Sequence, residues 1–442
     1  MDQPDWGPLY ADHIRQLEAA YARVMRETGY DALVLHSGTP KQRSAFDDQY
    51  WPLRVTPHFQ HWLPLAEPEC ALIVVPGRRP KLLWTQAQGF WERPAPVEEQ
   101  HWQSAFEIVS IASTEAAKEM MPSGRAAFIG EYKARASEWG FADAELAPKT
   151  LVEHLDQLRT LKTNYEIACL HEANRRAALG HLALAEAFRT GEASELDLHL
   201  LFLRATQQDD PETPYKNIVA IGPNAATLHH VSYRKTPARG VGSQSMLVDA
   251  GATCFGYCSD ITRTYVKGSG AAASAFAELL NLTEAFQQRL CSHVRVGDKY
   301  EALHEEAHRE VAGALRAVGL TNMSVDEALG SKMTRSFFPH GLGHSLGLQC
   351  HDVGCALIKP KPDNPFLRNT SVIDAGQCFT VEPGIYFIDT LLEKLRAEPA
   401  GSSVDWQLAG ELAQLGGIRI EDDLIVQSGA QAYRNLTREV LA

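Results

Sequence analysis

Residues 249–264 read D-A-G-A-T-C-F-G-Y-C-S-D-I-T-R-T, with Asp249 and Asp260 eleven positions apart. The small and turn-compatible residues between them suit an antiparallel hairpin. Centred between Cys254 and Phe255, it would set the two carboxylates opposite one another on one face. An aspartate is ordinarily a solvated surface residue. Here Met246, Leu247, Val248 and Ile261 flank the pair, which does not suit a solvated turn. Two like charges facing each other in an apolar hairpin call for a cation.

Three later segments supply the rest of a donor set. Residues 338–354, F-P-H-G-L-G-H-S-L-G-L-Q-C-H-D-V-G, place His340, His344 and His351 around Gly341, Gly343 and Gly347. Glycines let backbone approach closely, and imidazoles at such a bend serve as ligands, acids or bases. Glu382 in T-V-E-P-G and Glu421 in I-R-I-E-D-D each end a β-like run. Alone, either glutamate reads as a solvated strand end. Arg419 stands two residues before Glu421, on the same strand face, where it can hold a carboxylate in place. Asp249, Asp260, His344, Glu382 and Glu421 together form a hard, oxygen-rich set. Such a set suits two divalent ions ~3.5–4 Å apart with a bridging hydroxide, which is hydrolytic equipment.

The 442 residues leave room for two domains. A formal charge of -13 and no clustered basic surface speak against nucleic acid. The acidic start M-D-Q-P-D-W is no secretory signal, and the apolar run Cys70 to Pro76 is far too short to span a membrane. Eight cysteines without a C-x-x-C pair read as reduced thiols. The expectation is a soluble cytoplasmic protein.

Strand-like segments at Ala32–His36, Ala71–Val75, Lys81–Thr85, Ile108–Ile111 and Ala126–Gly130 follow a helical Asp12–Thr28. They predict a small α/β domain over residues 1–157 with a mixed sheet. From Thr150 to Arg189 the pattern is helical, and L-R-T-L-K-T-N-Y-E-I (158–167) marks the boundary. Residues 158–442 then predict a larger α+β domain with helices at 196–207, 272–294 and 302–318. Its strands include a continuous one over Ile418–Val426.

His304-Glu305-Glu306-Ala307-His308 matches H-E-x-x-H, the single-zinc metalloprotease pattern. Its neighbours Glu301, Glu306, Arg309 and Glu310 read instead as a solvated helix face. The glycines at 341, 343 and 347 likewise lack the strand–helix context of a dinucleotide fingerprint.

D-A-G-x(8)-D-I-T-R-T, P-H-G-L-G-H-x-L-G-L-x-x-H-D-V-G, T-V-E-P-G-I-Y-F and G-G-I-R-I-E-D together resemble bacterial Xaa-Pro dipeptidases (prolidases), metallopeptidases of the pita-bread fold. The resemblance covers nearly the whole chain. It implies a C-terminal pita-bread (creatinase/aminopeptidase-like) domain behind a smaller α/β domain that serves dimerisation and substrate access. It also implies two divalent ions per subunit, Mn²⁺ with Co or Zn as substitutes, on the same five ligands. His229 and His351 are implied to stabilise the tetrahedral intermediate and guide protons. Glu382 is expected to act as base, and Arg419 is implied to support the site. His340, Tyr215 and Tyr300 are implied to line the substrate pocket. Arg368, in F-L-R-N-T, grips the free carboxylate of an X-Pro dipeptide. Asp48 is implied to reach the site from the partner subunit of a homodimer. Side activity on organophosphorus compounds is a further implication.

Two departures bear on substrate ranking: Ser371 stands where relatives carry a second arginine, and Gly376-Gln377-Cys378-Phe379-Thr380 replaces G-M-V-x-T. Aminopeptidase P-type cleavage of longer X-Pro peptides, and a metal-free peptide-binding relative of the fold, are the alternative readings.

Overall fold

The computed structural model describes residues 4–86, 100–237, 243–356, 358–429 and 431–441. The chain divides into two compact units, Met1–Ala168 and Cys169–Ala442. The division falls inside the helix Asn164–Thr190.

The first unit is built on β1 (Ala32–His36), β2 (Ala71–Val74), β3 (Lys81–Thr85), β4 (Glu107–Ile111) and β5 (Ala126–Ile129). They form one sheet in the order β4-β3-β2-β1-β5. The outer pairs β3/β4 and β1/β5 are parallel and the inner pairs antiparallel, giving the expected mixed sheet. β1, β2 and β5 are buried at every position. That is why they read as unbroken apolar runs rather than alternating ones. The helix Trp6–Thr28 buries Tyr10, Ile14, Leu17, Tyr21 and Met25 at helical spacing and stops at Gly29 in the left-handed region.

The second unit carries β6 (Ile218–Ile221), β7 (Ser243–Asp249), β8 (Thr253–Cys254), β9 (Tyr257–Cys258) and β10 (Thr262–Gly268). After them come β11 (Cys378–Val381), β12 (Gly384–Tyr386), β13 (Gly417–Arg419), β14 (Asp422–Val426) and β15 (Tyr433–Asn435). One sheet runs β10-β7-β6 and another β11-β14-β15, with β12 paired to β13. The helices Ala271–Ser292 and Tyr300–Ala317 pack Phe276, Phe286, Leu303 and Val311 into a core shared with Phe379, Val381, Ile418 and Leu424.

The strand expected over Ile418–Val426 is two strands. β12/β13 and β11/β14 keep one common register, so Glu382 falls opposite Glu421, and the ladder opens between them. Pro383 has no N–H to offer the ladder. The freed amides find partners elsewhere: Glu382 N–H donates to Leu342 O at 2.8 Å and Glu421 N–H to Thr262 O at 3.1 Å.

Candidate metal centre

The hairpin of residues 249–264 exists, but its turn is one residue later than its spacing suggests. β8 pairs with β9 as Thr253↔Cys258 and Cys254↔Tyr257, and β7 pairs with β10 as Asp249↔Thr262. The turn is therefore centred between Phe255 and Gly256. Both have positive φ, 51° and 89°, the mirror-image turn that suits the twist of a hairpin. Gly256 adopts that conformation freely, and it decides the register. The two aspartates consequently share a face as diagonal neighbours and do not stand directly opposite. Gly251 is Asp260's cross-strand neighbour, and a Cβ there would lie 2.0 Å from the Ser259 carbonyl oxygen.

Asp249, Asp260, His344, Glu382 and Glu421 all line a cavity of about 710 Å³. His344 Nε2 lies 3.4 Å from Asp260 Oδ2 and 3.6 Å from Glu382 Oε1. Its Nδ1 faces the Ser345 carbonyl at 3.1 Å, which commits the Nδ1 hydrogen there and turns Nε2 into the cavity. Gly343 lets this segment approach β11 closely, since a Cβ there would sit 2.2 Å from Thr380 O.

Arg419 binds three parts of the site at once. It donates from Nη2 to Asp249 Oδ2 (2.6 Å), from Nη1 to Tyr386 Oη (2.9 Å) and from Nε to Thr262 Oγ1 (3.1 Å). Thr262 Oγ1 in turn donates to Glu421 Oε2 at 2.6 Å. Tyr386 Oη is 2.8 Å from His340 Nε2, while His340 Nδ1 is 2.8 Å from Gly341 O. The consistent proton order is Arg419 to Tyr386, Tyr386 to His340 Nε2, and His340 Nδ1 to the carbonyl. Burial and the Arg419 charge hold His340 at about 3, so the ring in this chain is neutral.

The electrostatics ask for a cation. Burial, with Asp260, Glu382 and Asp249 adding to it, pushes Glu421 well above the usual carboxylate range. Glu382 is likewise raised by burial, which outweighs His344 and Arg419. Asp249 is also raised by burial, against the pull of Arg419, and its Oδ1 is buried without a hydrogen-bond partner. Asp260 is lowered in spite of burial, through His344, Cys350 and Tyr215. Burial would lower His344, but Asp260 and Glu382 raise it to about 9. A buried acid cluster with an orphaned oxygen and a correctly oriented imidazole fits divalent metal.

Of the other expected residues, His229, Tyr215, His340, His351 and Arg368 line the same cavity. Tyr215 donates to Asp260 Oδ1 at 2.6 Å. The adjacent His230 is held elsewhere, 2.9 Å from Glu195 Oε2. Arg368 is exposed, and no carboxylate of the described residues lies within ion-pair reach of it. Tyr300 does not belong with them. It is fully buried, its hydroxyl donates to Thr380 O at 2.7 Å, and its ring packs on Phe379. Asp48 is an exposed residue of the first unit, accepting from Gln49 Nε2 at 3.2 Å. Ser371 is buried and donates to Asn369 Oδ1 at 2.7 Å.

His304 and His308 are not on a solvated face. They are 2% and 1% exposed and meet edge to face, 4.8 Å between ring centroids. Both line a separate cavity of about 290 Å³, where Arg335 Nη1 sits 3.2 Å from His308 Nε2. A guanidinium at that distance is the wrong company for a metal ion.

Residues 168–428 match the model of metallopeptidase family M24, and residues 8–157 match the N-terminal domain of Xaa-Pro dipeptidase. The chain belongs to metallopeptidase family M24. Among its relatives are the Xaa-Pro dipeptidase of Pseudoalteromonas atlantica, 38% identical over 98% of both chains, and that of Xanthomonas campestris pv. campestris (strain B100), 37% identical over the full length of both. The M24 fold is the pita-bread fold expected. A solved structure of Pseudomonas aeruginosa aminopeptidase PepP superposes with a TM-score of 0.72, at 21% identity, over 97% of this chain and 95% of that one. This M24 chain is a metal-using hydrolase built from an α/β domain followed by the α+β catalytic domain.

Two further residues at this M24 site escape a reading of the sequence. Cys350 donates to Asp260 Oδ2 at 2.9 Å, and Tyr386 links Arg419 to His340. Cys350 sits six residues beyond His344 inside the glycine-rich segment, which was a signal. Tyr386 follows Glu382 by four residues in a strand, where nothing distinguishes it from core.

Proposed function

We propose that this chain is an Xaa-Pro dipeptidase, cleaving Xaa-Pro dipeptides to release C-terminal proline. The observation that carries the reading is the convergence of Asp249, Asp260, His344, Glu382 and Glu421 on a cavity that also presents an unpaired Arg368. A pair of divalent ions on those five residues, Mn²⁺ in this reading, would supply Lewis acidity and lower the pKa of a water to near neutrality.

The chain's own groups do the rest. The Arg368 guanidinium receives the substrate's free carboxylate in a charge-assisted fork and acts as a ruler for dipeptide length. Glu382 takes the proton of the attacking water and passes it to the proline nitrogen, which as a tertiary amide has no N–H of its own. Burial, together with the charges of His344 and Arg368, keeps His351 at about 4. It is therefore neutral near pH 7 and can donate from one nitrogen to the developing oxyanion, with His229 beside it. Arg419 holds Asp249 and, through Thr262, Glu421 in the orientations that receive metal.

The same reading has the protein acting in the cytoplasm as a homodimer, with Asp48 of one subunit near the other's cavity. Organophosphorus esters are side substrates, since their tetrahedral phosphorus resembles the intermediate. Hydrolysis of Ala-Pro and Ala-Pro-Ala by Mn²⁺-loaded wild type and Arg368→Ala tests the specificity. Preference for Ala-Pro that disappears in Arg368→Ala is expected. Faster cleavage of the tripeptide by wild type would make the protein an aminopeptidase P-type enzyme.

A further inference from the structure

One ring nitrogen each of His344 and His351 and the sulfur of Cys350 lie within 4.8 Å of one another. The two imidazoles meet edge to face with centroids 4.4 Å apart. Cys350 Sγ is 2.9 Å from Asp260 Oδ2, and that same oxygen is 3.4 Å from His344 Nε2. Two imidazoles, a thiol and a carboxylate oxygen thus converge on one side of the cavity. All four side chains line it, so an ion reaches them without the fold opening. Two nitrogens and a sulfur are a soft set, which favours zinc and cadmium where oxygen donors favour manganese.

We propose that His344, Cys350 and His351 form a thiophilic-ion site that competes with the oxygen-rich centre for one atom, His344 Nε2. His344 Nδ1 faces the Ser345 carbonyl, so its hydrogen is committed there and Nε2 holds the single available lone pair. One lone pair cannot serve two ions. When the sulfur coordinates, the thiol proton leaves to solvent and the hydrogen bond to Asp260 is given up. An ion held there removes a ligand from the catalytic set and occupies His351, so the chain carries its own sensitivity to soft divalent ions. Inhibition of turnover rests on the proposed dipeptidase activity and release of Mn²⁺ on the metal centre proposed with it; binding of the soft ion rests on neither.

Cadmium is the probe. Titrated into full-length, metal-stripped protein, one equivalent of Cd²⁺ should develop sulfur-to-cadmium charge-transfer absorption in the ultraviolet. Cys350→Ser should abolish the band, and His351→Ala should weaken Cd²⁺ binding at least about ten-fold. In Mn²⁺-loaded wild type, Cd²⁺ should release Mn²⁺, read as the free ion by electron paramagnetic resonance. In Cys350→Ser that release should need at least about ten-fold more Cd²⁺. If Cys350→Ser does not fold, ¹¹³Cd resonance on the wild type separates mixed nitrogen–sulfur from all-oxygen coordination. Absence of the band, its survival in Cys350→Ser, an all-oxygen shift, or sulfur-bound Cd²⁺ without Mn²⁺ release each overturn the proposal. A band with Mn²⁺ release in a protein that cleaves no X-Pro peptide would instead uphold the site and sink the dipeptidase reading.

Discussion

Two groups of histidines in the second unit invite comparison: His304 and His308 on one helix, and His340, His344 and His351 along a glycine-rich bend. The first pair has the spacing of a known zinc motif and is well buried, yet it sits under Arg335. Burial and neighbouring positive groups hold His304 at about 4 and His308 at about 2, although the charge of Glu305 pulls His304 the other way. Glu305 is engaged by Asn364 Nδ2 at 2.7 Å. His344 lacks the H-E-x-x-H spacing, but Asp260 and Glu382 hold it at about 9. Donor spacing along a chain is therefore a poor guide to metal; the sign of the surrounding charge decides.

The largest expected effect tests that directly. His344→Ala should lower kcat/KM for Ala-Pro by more than about 10³-fold and reduce bound metal per chain, by loss of a ligand that positions the reaction. His304→Ala should change kcat/KM by less than about ten-fold and leave metal content intact. Equal losses in both variants would erase the distinction.

Gly343→Ala comes next. A Cβ 2.2 Å from Thr380 O cannot be accommodated without moving backbone. The expected cost is about 3 kcal/mol of unfolding free energy in urea, together with weaker metal binding. Wild-type stability would mean that close approach of the segment to β11 is not what positions His344.

Arg368→Ala should raise KM for Ala-Pro about ten- to hundred-fold, the range of a hydrogen bond to a charged group, with a smaller change in kcat. Arg335→Ala, which removes the guanidinium of the other histidine group, should leave that KM unchanged within about three-fold, since nothing ties Arg335 to the substrate carboxylate.

The smallest effect is in pH dependence. His304 and His308 titrate in the fold below the ~6.5 of an unfolded histidine. Between those values the unfolded chain takes up protons that the fold refuses. Their stability contribution is complete above pH ~6.5 and is lost as pH falls toward the folded values. Urea midpoints at pH about 7.5 and about 5.5 should therefore separate more in wild type than in His308→Gln. An equal separation would show that His308 is not shielded from protonation.

The first unit was almost entirely legible. β1, β2 and β5 are buried on both faces, so apolar run and strand coincide there, and each expected strand span lies within two residues of the observed one. In the second unit the residues that gather at the cavity were legible and their geometry less so. The turn that Gly256 centres also needs positive φ at Phe255, a non-glycine residue, and no propensity announces that. The split at Ile420 and Glu421 required knowing that Pro383 lay opposite Ile420, 37 residues earlier, between β11 and β12. His304 and His308 looked solvated because their helix neighbours are charged; the acids turn outward while the rings turn in. Tyr300 carried no local mark to separate a pocket wall from core. What sequence could not hold, in each case, was information from a distant segment.

The opened ladder at Glu382 and Glu421 has a consequence for how the molecule matures. The amide of Glu421 is caught by Thr262, and that of Glu382 by Leu342, so neither glutamate is seated by its own hairpin alone. During synthesis the Asp249–Asp260 turn emerges about 160 residues before Glu421 does. Until that segment arrives, the early aspartates are a pair of like charges without the later acids and arginine beside them. The acid cluster is thus assembled only after the Glu421 segment has been made, and its closure reports that the early and late parts of the second unit have packed together.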